Sequence, residues 1–324
     1  LDEMPNTFKN KSFPENENEE QRIYYESLTS LMNNYILENS KNQKTETEVI
    51  TPKFNTKISV NNHELCYCEN GPELGPTVIF IHGFPFNQTM WHNQVNALQK
   101  NYRVLTYDLR GFGSSSAGEE EFSIDLFAED LISFMDALQI KKAIICGLSI
   151  GGYIAMNAIE KHLNRFEALI LCDTQCIFDT PEVSEKRFLA IEVIQNRGIE
   201  KFANDNIKML FAKESYFTKV SEINTIRQMI FGNSKEVIIN TLLALANRKE
   251  TCSKLQHVKI PVLILVGSED RLTPTDAAAY MNAKLFDSKM IVIEQSGHLS
   301  NIENPDQFNN ELKKFLYKFA PQLI

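Results

Sequence analysis

The feature that most constrains the fold is a regular alternation of short apolar runs with segments of helical periodicity. The runs are TVIFI at 77–81, RVLTY at 103–107, KAIICG at 142–147, EALILC at 167–172, PVLILVG at 261–267 and KMIVIE at 289–294. Helical segments around 88–99, 123–138 and 150–162 separate the first four runs. Parallel strands need such crossover helices, and continuous apolar runs are typical of strands buried on both faces. The sequence therefore predicts an α/β fold with a mostly parallel sheet.

The alternation is interrupted once, and it is missing at the start of the chain. Residues 174–250 show only helical patterns, so we expect a helical cap inserted into a core of residues 51–173 and 251–324. Residues 1–50 form a polar N-terminal extension that contains one predicted amphipathic helix. The apolar positions of that helix are Tyr24, Leu28, Leu31, Met32, Tyr35 and Ile36. We expect this face to dock on the main body; a homodimer contact and a flap over the site are the alternatives.

Composition limits the partners. The chain has 324 residues and a formal net charge of -9, so it repels phosphate backbones and we expect no nucleic-acid partner. No apolar run reaches the length of a membrane span, and the first residues lack the features of a signal peptide. Cys146 and Cys172 end strand-like runs, where reduced, buried thiols are expected, which favours a cytoplasmic protein. No CxxC, HExxH or Cys/His zinc spacing occurs, so we expect neither a metal nor a cofactor.

The segment Gly147-Leu148-Ser149-Ile150-Gly151-Gly152 carries the strongest local signal for chemistry. It follows the run KAIIC and opens a helical segment. A serine at such a turn is held in a strained backbone conformation that projects its hydroxyl out of the sheet. Small flanking residues are needed because the strand and helix backbones nearly touch. The pattern predicts Ser149 as a nucleophile; the alternative is a tight turn with an incidental serine.

A serine hydroxyl needs a base to activate it, and the base needs an acid to orient it. We expect His298 to be the base and Asp270 the acid, because each follows the carboxyl end of a predicted strand, where open α/β sheets place their sites. The order Ser, acid, His is also the one that accompanies this kind of serine turn. Asp270 is preferred to Glu269 because adjacent side chains should point apart. Asp173, after an earlier strand, is the alternative acid.

Acyl transfer also needs N–H donors for the negative charge of the tetrahedral intermediate. We expect one donor to be the amide of Ile150, directly after the predicted nucleophile. The other is the amide of Phe84, in the loop that follows the run TVIFI. Pro85 has no N–H to supply. His82, in the same loop, is expected to hold the loop rather than to act as a base.

Other charged residues are expected to be structural. Asp108 and Arg110 lie in a glycine-containing loop that lacks the spacing of a nucleotide-binding loop, so we expect them to hold the loop together. Arg187, Arg227 and Arg248 lie in the predicted cap. They are either solvated or in contact with an anionic substrate, and the first reading is favoured.

The motifs together resemble the α/β-hydrolase superfamily. The resemblance rests on HGF at 82–84, DLRGFGS at 108–114, GLSIGG at 147–152, GSED at 267–270 and GH at 297–298, and it covers roughly residues 55–320. It implies an eight-stranded sheet with helices on both faces, a cap between strands six and seven, and hydrolysis of an ester, lactone or related acyl compound without a cofactor. The segments DTPE at 179–182 and GHLSN at 297–301 resemble the 3-oxoadipate enol-lactonase-like branch.

The predicted function is cleavage of a carboxylic ester or lactone through an acyl-enzyme intermediate. Ser149 attacks the carbonyl, His298 takes its proton and Asp270 orients the imidazole. Three alternatives stay open: a carbon–carbon bond hydrolase acting on a diketone, an acyl transferase or perhydrolase, and a non-catalytic ligand-binding protein on the same fold. The resemblance makes haloalkane dehalogenase and epoxide hydrolase improbable, because those enzymes carry Asp where this chain has Ser149.

Overall fold

The computed structural model describes residues 53–320, which contain an eight-stranded sheet. The strands are β1 Lys53–Val60, β2 His63–Asn70, β3 Thr77–Ile81, β4 Arg103–Tyr107, β5 Ala143–Leu148, β6 Phe166–Cys172, β7 Val262–Gly267 and β8 Ser288–Ile293. Their order across the sheet is β1-β2-β4-β3-β5-β6-β7-β8. Strand β2 pairs antiparallel with β1 and β4, and the other neighbours pair in parallel. The predicted α/β fold with a mostly parallel sheet is confirmed.

Helices connect the strands. They are α1 His92–Leu98, α2 Ile124–Ala137, α3 Ile150–His162, α4 Pro181–Leu210, α5 Ser215–Thr218, α6 Val220–Phe231, α7 Lys235–Ala246, α8 Thr275–Lys284, α9 Ser300–Glu303 and α10 Pro305–Leu316. Polar side chains fix where several of them begin, because an N-cap oxygen satisfies a free N–H of the first turn. Ser123 Oγ accepts from the Leu126 amide at the start of α2, and Ser234 Oγ accepts from the Val237 amide at the start of α7.

Alternate residues of the central strands point to opposite faces of the sheet. On β3, Val78 and Phe80 belong to the apolar cluster that includes residues of α1 and α10, whereas Ile79 and Ile81 belong to the cluster that includes residues of α2 and α3. All four side chains are fully buried. Helices therefore cover both faces, which explains why these strands are continuous apolar runs in the sequence.

Helices α4 to α7 follow one another between β6 and β7, and we call this segment the helical insertion. It occupies the place where the sequence predicts a cap; that residues 174–250 form a separate cap domain stays a prediction. Helix α4 is broken at Gly198, whose φ of 83° and ψ of 171° suit glycine. The two sides of the break are therefore separate helices, and only the second leads into α5.

A disulfide bond joins Cys176 and Cys252, which flank the helical insertion. Cys146 and Cys172 are free and buried, as expected. The bond between the other two cysteines was not predicted, because spacing along the chain gave no sign of it. Disulfides persist mainly in oxidising compartments, so this bond gives no support to the reducing compartment on which the cytoplasmic expectation rested.

Residues 1–50 lie outside the described residues, and so do the expectations for their amphipathic helix, docking face and homodimer contact. None of the described helices is long and apolar enough to cross a membrane. Within residues 53–320, no group of three or more His, Cys, Asp or Glu side chains could hold a metal ion.

Candidate active site

The predicted site residues lie at the carboxyl ends of neighbouring strands. Phe84 follows β3, Ser149 follows β5, Asp270 follows β7 and His298 follows β8. Strands β3, β5, β6, β7 and β8 are consecutive in the sheet and run in parallel. Ligands of open α/β sheets bind at this edge. The sheet therefore gathers side chains that are far apart in the sequence.

Ser149 occupies a sharp turn between β5 and α3. Its φ of 54° and ψ of -114° lie outside the regions that serine ordinarily adopts. Added Cβ atoms show why glycine flanks it: one on Gly147 would lie 2.2 Å from the carbonyl oxygen of Gly151, and one on Gly151 would lie 2.4 Å from that of Ile81. The Ser149 side chain makes no capping hydrogen bond to α3. Its hydroxyl is thus not used to begin the helix.

Asp270 and His298 are in direct contact. The Nδ1 atom of His298 lies 2.8 Å from Oδ2 of Asp270, and both residues are buried. The other carboxylate oxygen, Oδ1, accepts from the amides of Leu272 and Thr273 at 2.8 and 3.1 Å. Because the carboxylate can only accept a hydrogen bond, the tautomer that fits carries its proton on Nδ1 and leaves Nε2 as the unprotonated nitrogen of the ring.

The contact also shifts both pKa values. Burial raises the pKa of Asp270, but the charge and hydrogen bond of His298 outweigh burial, so the pKa lies below its ordinary value. Burial lowers the pKa of His298, but the charge and hydrogen bond of Asp270 outweigh it and hold the pKa above its ordinary value. The pair therefore favours an ionised acid beside a histidine that accepts a proton readily.

The two rejected acids have other partners. Asp173 Oδ1 accepts from the Gly267 amide at 2.8 Å, and Oδ2 accepts from the Ser300 hydroxyl at 2.5 Å. Burial, followed by the charge of Asp270, raises the pKa of Asp173 to about 8. Glu269 accepts from the Lys213 amide at 3.4 Å. The structure thus places Asp270, and neither alternative, on the imidazole.

The serine turn is anchored to the loop that carries the histidine. Thr174 Oγ1 donates to the Ser149 carbonyl oxygen at 2.8 Å. The preceding residue, Asp173, bonds Ser300, which closely follows His298. Within residues 53–320, no hydrogen bond joins the Ser149 hydroxyl to the imidazole. The structure therefore brings acid and base together, and the contact between base and nucleophile stays a prediction.

His82 holds the loop after β3, as predicted. Its Nδ1 atom lies 2.8 Å from the Gly83 carbonyl oxygen, and its Nε2 atom accepts from the Leu109 amide at 2.9 Å. Burial lowers the pKa of His82 to about 4, so the ring is neutral at pH 7. Both ring nitrogens are occupied, and the loop that carries Phe84 is fixed against the loop after β4.

Asp108 and Arg110 hold the loop after β4. Asp108 accepts from the amides of Gln88 and Ser114 at 2.8 and 2.9 Å. Arg110 binds both carboxylate oxygens of Asp130 at 2.8 Å, and its side chain is fully buried. These contacts account for both residues without a nucleotide, in agreement with the sequence interpretation.

Comparisons with known proteins agree with this fold. A family model described as the alpha/beta hydrolase fold matches residues 76–305. The chain belongs to the α/β-hydrolase family. It is 32% identical over 239 residues to 3-oxoadipate enol-lactonase 1 of Acinetobacter baylyi, covering 74% of this chain and 88% of that protein. This α/β hydrolase therefore lies near the enol-lactonase branch, as its motifs predict.

Solved structures of other α/β hydrolases superpose on this one. A thermophilic esterase from Thermogutta terrifontis is 31% identical with a TM-score of 0.77, and the match covers 82% of this chain and 98% of that chain. The enol-lactonase from Burkholderia xenovorans is 26% identical with a TM-score of 0.76, and the match covers 81% and 99%. The eight-stranded fold is thus shared over almost the full length of both proteins.

The three arginines that the sequence singles out in the predicted cap have partners within the chain. Arg187 and Arg248 both form ion pairs with Asp179. Arg248 also donates to the Ile177 carbonyl oxygen at 3.0 Å. Arg227 is bonded to asparagine side chains of the insertion. The expectation that these side chains are solvated is wrong for Arg248, which is buried and paired with Asp179.

A cavity of about 320 Å³ lies beside α3 and is lined by residues that include Tyr153, Asn157 and Arg248. None of the proposed catalytic residues lines it. We place the candidate active site at the strand ends instead, because a reaction needs a nucleophile, a base and an acid close together. The volume of a cavity that lacks these residues does not outweigh this requirement.

One residue beside the site was missed by sequence reasoning. Glu303 ends α9 and is 4% exposed. Its carboxylate accepts hydrogen bonds from Gly297, which precedes the predicted base, and from Ala212 and Ser215 of the helical insertion. A single acidic residue in a helical segment has no local signature of such a role.

Proposed function

We propose that this α/β hydrolase is a serine hydrolase that cleaves a carboxylic ester or lactone through an acyl-enzyme intermediate. The observation that carries the proposal is the buried contact of 2.8 Å between His298 Nδ1 and Asp270, on the sheet edge that also bears the strained turn at Ser149. A carboxylate on Nδ1 fixes the tautomer in which Nε2 can take a proton. Similarity to proteins named enol-lactonase and esterase supports this substrate class.

The reaction follows from these positions. Ser149 Oγ attacks the carbonyl carbon while Nε2 of His298 takes the hydroxyl proton, and Asp270 stabilises the imidazolium that forms. The imidazolium then protonates the leaving oxygen, which is the alcohol of an ester or the ring oxygen of a lactone. His298 next takes a proton from a water molecule as that water attacks the acyl-enzyme. The imidazolium then returns the proton to Ser149 Oγ as its bond to the acyl group breaks and the acid is released.

The amides of Phe84 and Ile150 are the proposed donors to the oxyanion. They follow β3 and β5, which are neighbours in the sheet, with Ile81 paired to Gly147. Neither amide donates to another group in the described part of the chain. Preorganised donors of this kind stabilise charge that develops in the transition state, and losing one costs about 100- to 1000-fold in rate.

The surroundings favour an uncharged substrate with an apolar acyl group. The Phe84 ring packs against Phe112 and Phe202, with centroid distances of 6.1 and 6.4 Å. Arg187 and Arg248 form ion pairs with Asp179, and Arg227 bonds two asparagines. An anionic acyl group would therefore have to compete with these partners for the three arginines. We expect p-nitrophenyl butyrate to be cleaved with a higher kcat/KM than p-nitrophenyl hemisuccinate, and the reverse order would contradict this preference.

Labelling with a fluorophosphonate tests the nucleophile. The wild-type chain should be labelled and Ser149→Ala should not, with turnover of p-nitrophenyl acetate lowered by up to about a millionfold. Ser133→Ala is a matched control, because Ser133 lies in α2 and its hydroxyl bonds Asn61. An unlabelled wild type, or equal labelling of Ser149→Ala, would contradict the proposal. Parallel assays with a diketone and with an alcohol acceptor distinguish ester hydrolysis from carbon–carbon cleavage and acyl transfer.

A further inference from the structure

The buried carboxylate of Glu303 links the loop that carries the proposed base to residues 208–215, which join the end of α4 to the start of α5. We call this segment of the helical insertion the insertion tail. Oε1 of Glu303 accepts from the Gly297 amide at 2.8 Å. Oε2 accepts from the Ala212 amide at 2.8 Å and from the Ser215 hydroxyl at 2.6 Å. Glu303 has no role in the proposed mechanism, and its side chain therefore accepts hydrogen bonds from both segments for another reason.

Other contacts bind the insertion tail to the same edge of the sheet. The amide of His298 itself donates to the Leu210 carbonyl oxygen at 2.7 Å. Arg271, which follows the proposed acid, donates to the carbonyl oxygens of Lys208 and Phe211, both at 2.8 Å. The tail is thus bonded to the acid loop and to the base loop, and Glu303 is the buried charged group among these links.

We propose that Glu303 is a positioning residue for His298, and that it makes the alignment of the base depend on how the insertion tail is seated. Hydrogen bonds from main-chain amides to a carboxylate are about twice as strong as those to a neutral acceptor, so the link is firm. The link fixes the main chain from which the imidazole projects. A displacement of about 1 Å between reacting groups can cost about 100-fold in rate. This inference rests on the proposed function.

The charge of Glu303 provides a second readout. Burial lowers the pKa of His298, and the carboxylates of Asp270, Asp173 and Glu303 raise it, with a net upward shift. Burial also raises the pKa of Glu303 itself, more than its hydrogen-bond donors lower it. Removing the charge of Glu303 should therefore move the pKa of His298 downward. A residue that only stabilised the fold would leave that pKa unchanged.

Glu303→Gln is the test. An amide has one acceptor oxygen and an NH₂ group, so at least one of the two main-chain donors loses its partner. We expect kcat for p-nitrophenyl acetate to fall about 10- to 100-fold with KM changed less than about threefold. The acid limb of the kcat/KM profile should move to lower pH. Glu311→Gln is the matched control, because Glu311 lies in α10 and pairs with Lys289 and Lys314; it should leave kcat and the profile unchanged.

A second variant keeps the inference testable if Glu303→Gln does not fold, and the melting temperature of each variant shows whether it is folded. Ser215→Ala removes one donor to Glu303 and keeps both main-chain amides, and it should lower kcat about threefold at constant KM. A folded Glu303→Gln with the kcat and pH profile of the wild type would overturn the inference. An equal loss of kcat in Glu311→Gln would also overturn it. If Glu303→Gln does not fold, a wild-type kcat in Ser215→Ala would overturn the inference instead. In each of these cases the proposed function still stands if the wild type is active and is labelled by the fluorophosphonate at Ser149.

Discussion

Asp270→Asn should prevent His298 from acting as a base while keeping the two main-chain hydrogen bonds of the acid loop. Oδ1 of Asp270 accepts from the amides of Leu272 and Thr273, and the amide oxygen of asparagine can keep both bonds. The NH₂ group then takes the place of Oδ2 and faces Nδ1 of His298. Because two donors cannot pair, the imidazole proton moves to Nε2, and the ring can no longer accept a proton from Ser149.

The magnitude follows from the loss of the correct tautomer. The corresponding exchange in a serine protease lowers kcat about 10⁴-fold. At about 1.36 kcal/mol for each tenfold change, this loss raises the barrier by about 5 kcal/mol. Asp270 is 5% exposed and His298 is 2% exposed, so bulk water does not replace the carboxylate. We therefore expect the full effect in kcat/KM for p-nitrophenyl acetate at pH 7, with a melting temperature close to that of the wild type.

Asp173→Asn is the matched control, because it makes the same exchange in the neighbouring buried acid. Burial, followed by the charge of Asp270, raises the pKa of Asp173 to about 8, so Asp173 carries less of the negative charge beside His298 than Asp270 does. In the described structure it also makes no hydrogen bond to His298. We expect a loss below about tenfold. A larger loss in Asp173→Asn than in Asp270→Asn would refute the assignment of the acid.

Two further predictions concern pH and the disulfide. The kcat/KM value should fall as pH is lowered through a midpoint above 6.5, because the base acts only as neutral imidazole and the neighbouring carboxylates raise the pKa of His298 above that value; a profile that stays flat from pH 5 to pH 8 would count against His298. Cys252→Ser should lower the free energy of unfolding by about 2–4 kcal/mol, because the bond to Cys176 closes a span of 76 residues. Urea unfolding measures this loss, and a midpoint equal to that of the oxidised wild type would show that the bond does not form.

Much of the fold could be predicted because burial repeats along a strand or helix. The runs at 77–81 and 103–107 are β3 and β4 with the same ends. The break at Gly198 could not be seen, because the apolar spacing continues across it: Ile194 and Phe202 on its two sides are both buried and fit one helical period. A hydrophobic pattern records which face is buried, and it does not record a single residue with positive φ.

Candidate site residues could be predicted only where their proposed role requires a position directly after a strand. Ser149 and His298 meet that condition, since each follows a strand end in the sequence and in the structure, and their catalytic roles stay predictions. Glu303 does not, since its donors Ala212 and Ser215 lie 91 and 88 residues earlier in the chain. Polar contacts between distant segments depend on how helices pack after folding, and no periodicity encodes them. The disulfide bond between the cysteines that flank the helical insertion could not be predicted for the same reason.

The turn at Ser149 makes one inactive variant unusually informative. The hydroxyl caps no helix, and the close approaches of the flanking glycines shape the backbone there. Alanine therefore removes the oxygen proposed to react and keeps the glycines that shape the turn. Under the proposed function, we expect such a protein to bind its substrate without cleaving it. Incubated with a metabolite extract, washed and examined by native mass spectrometry, it would retain the uncleaved compound and reveal its mass directly.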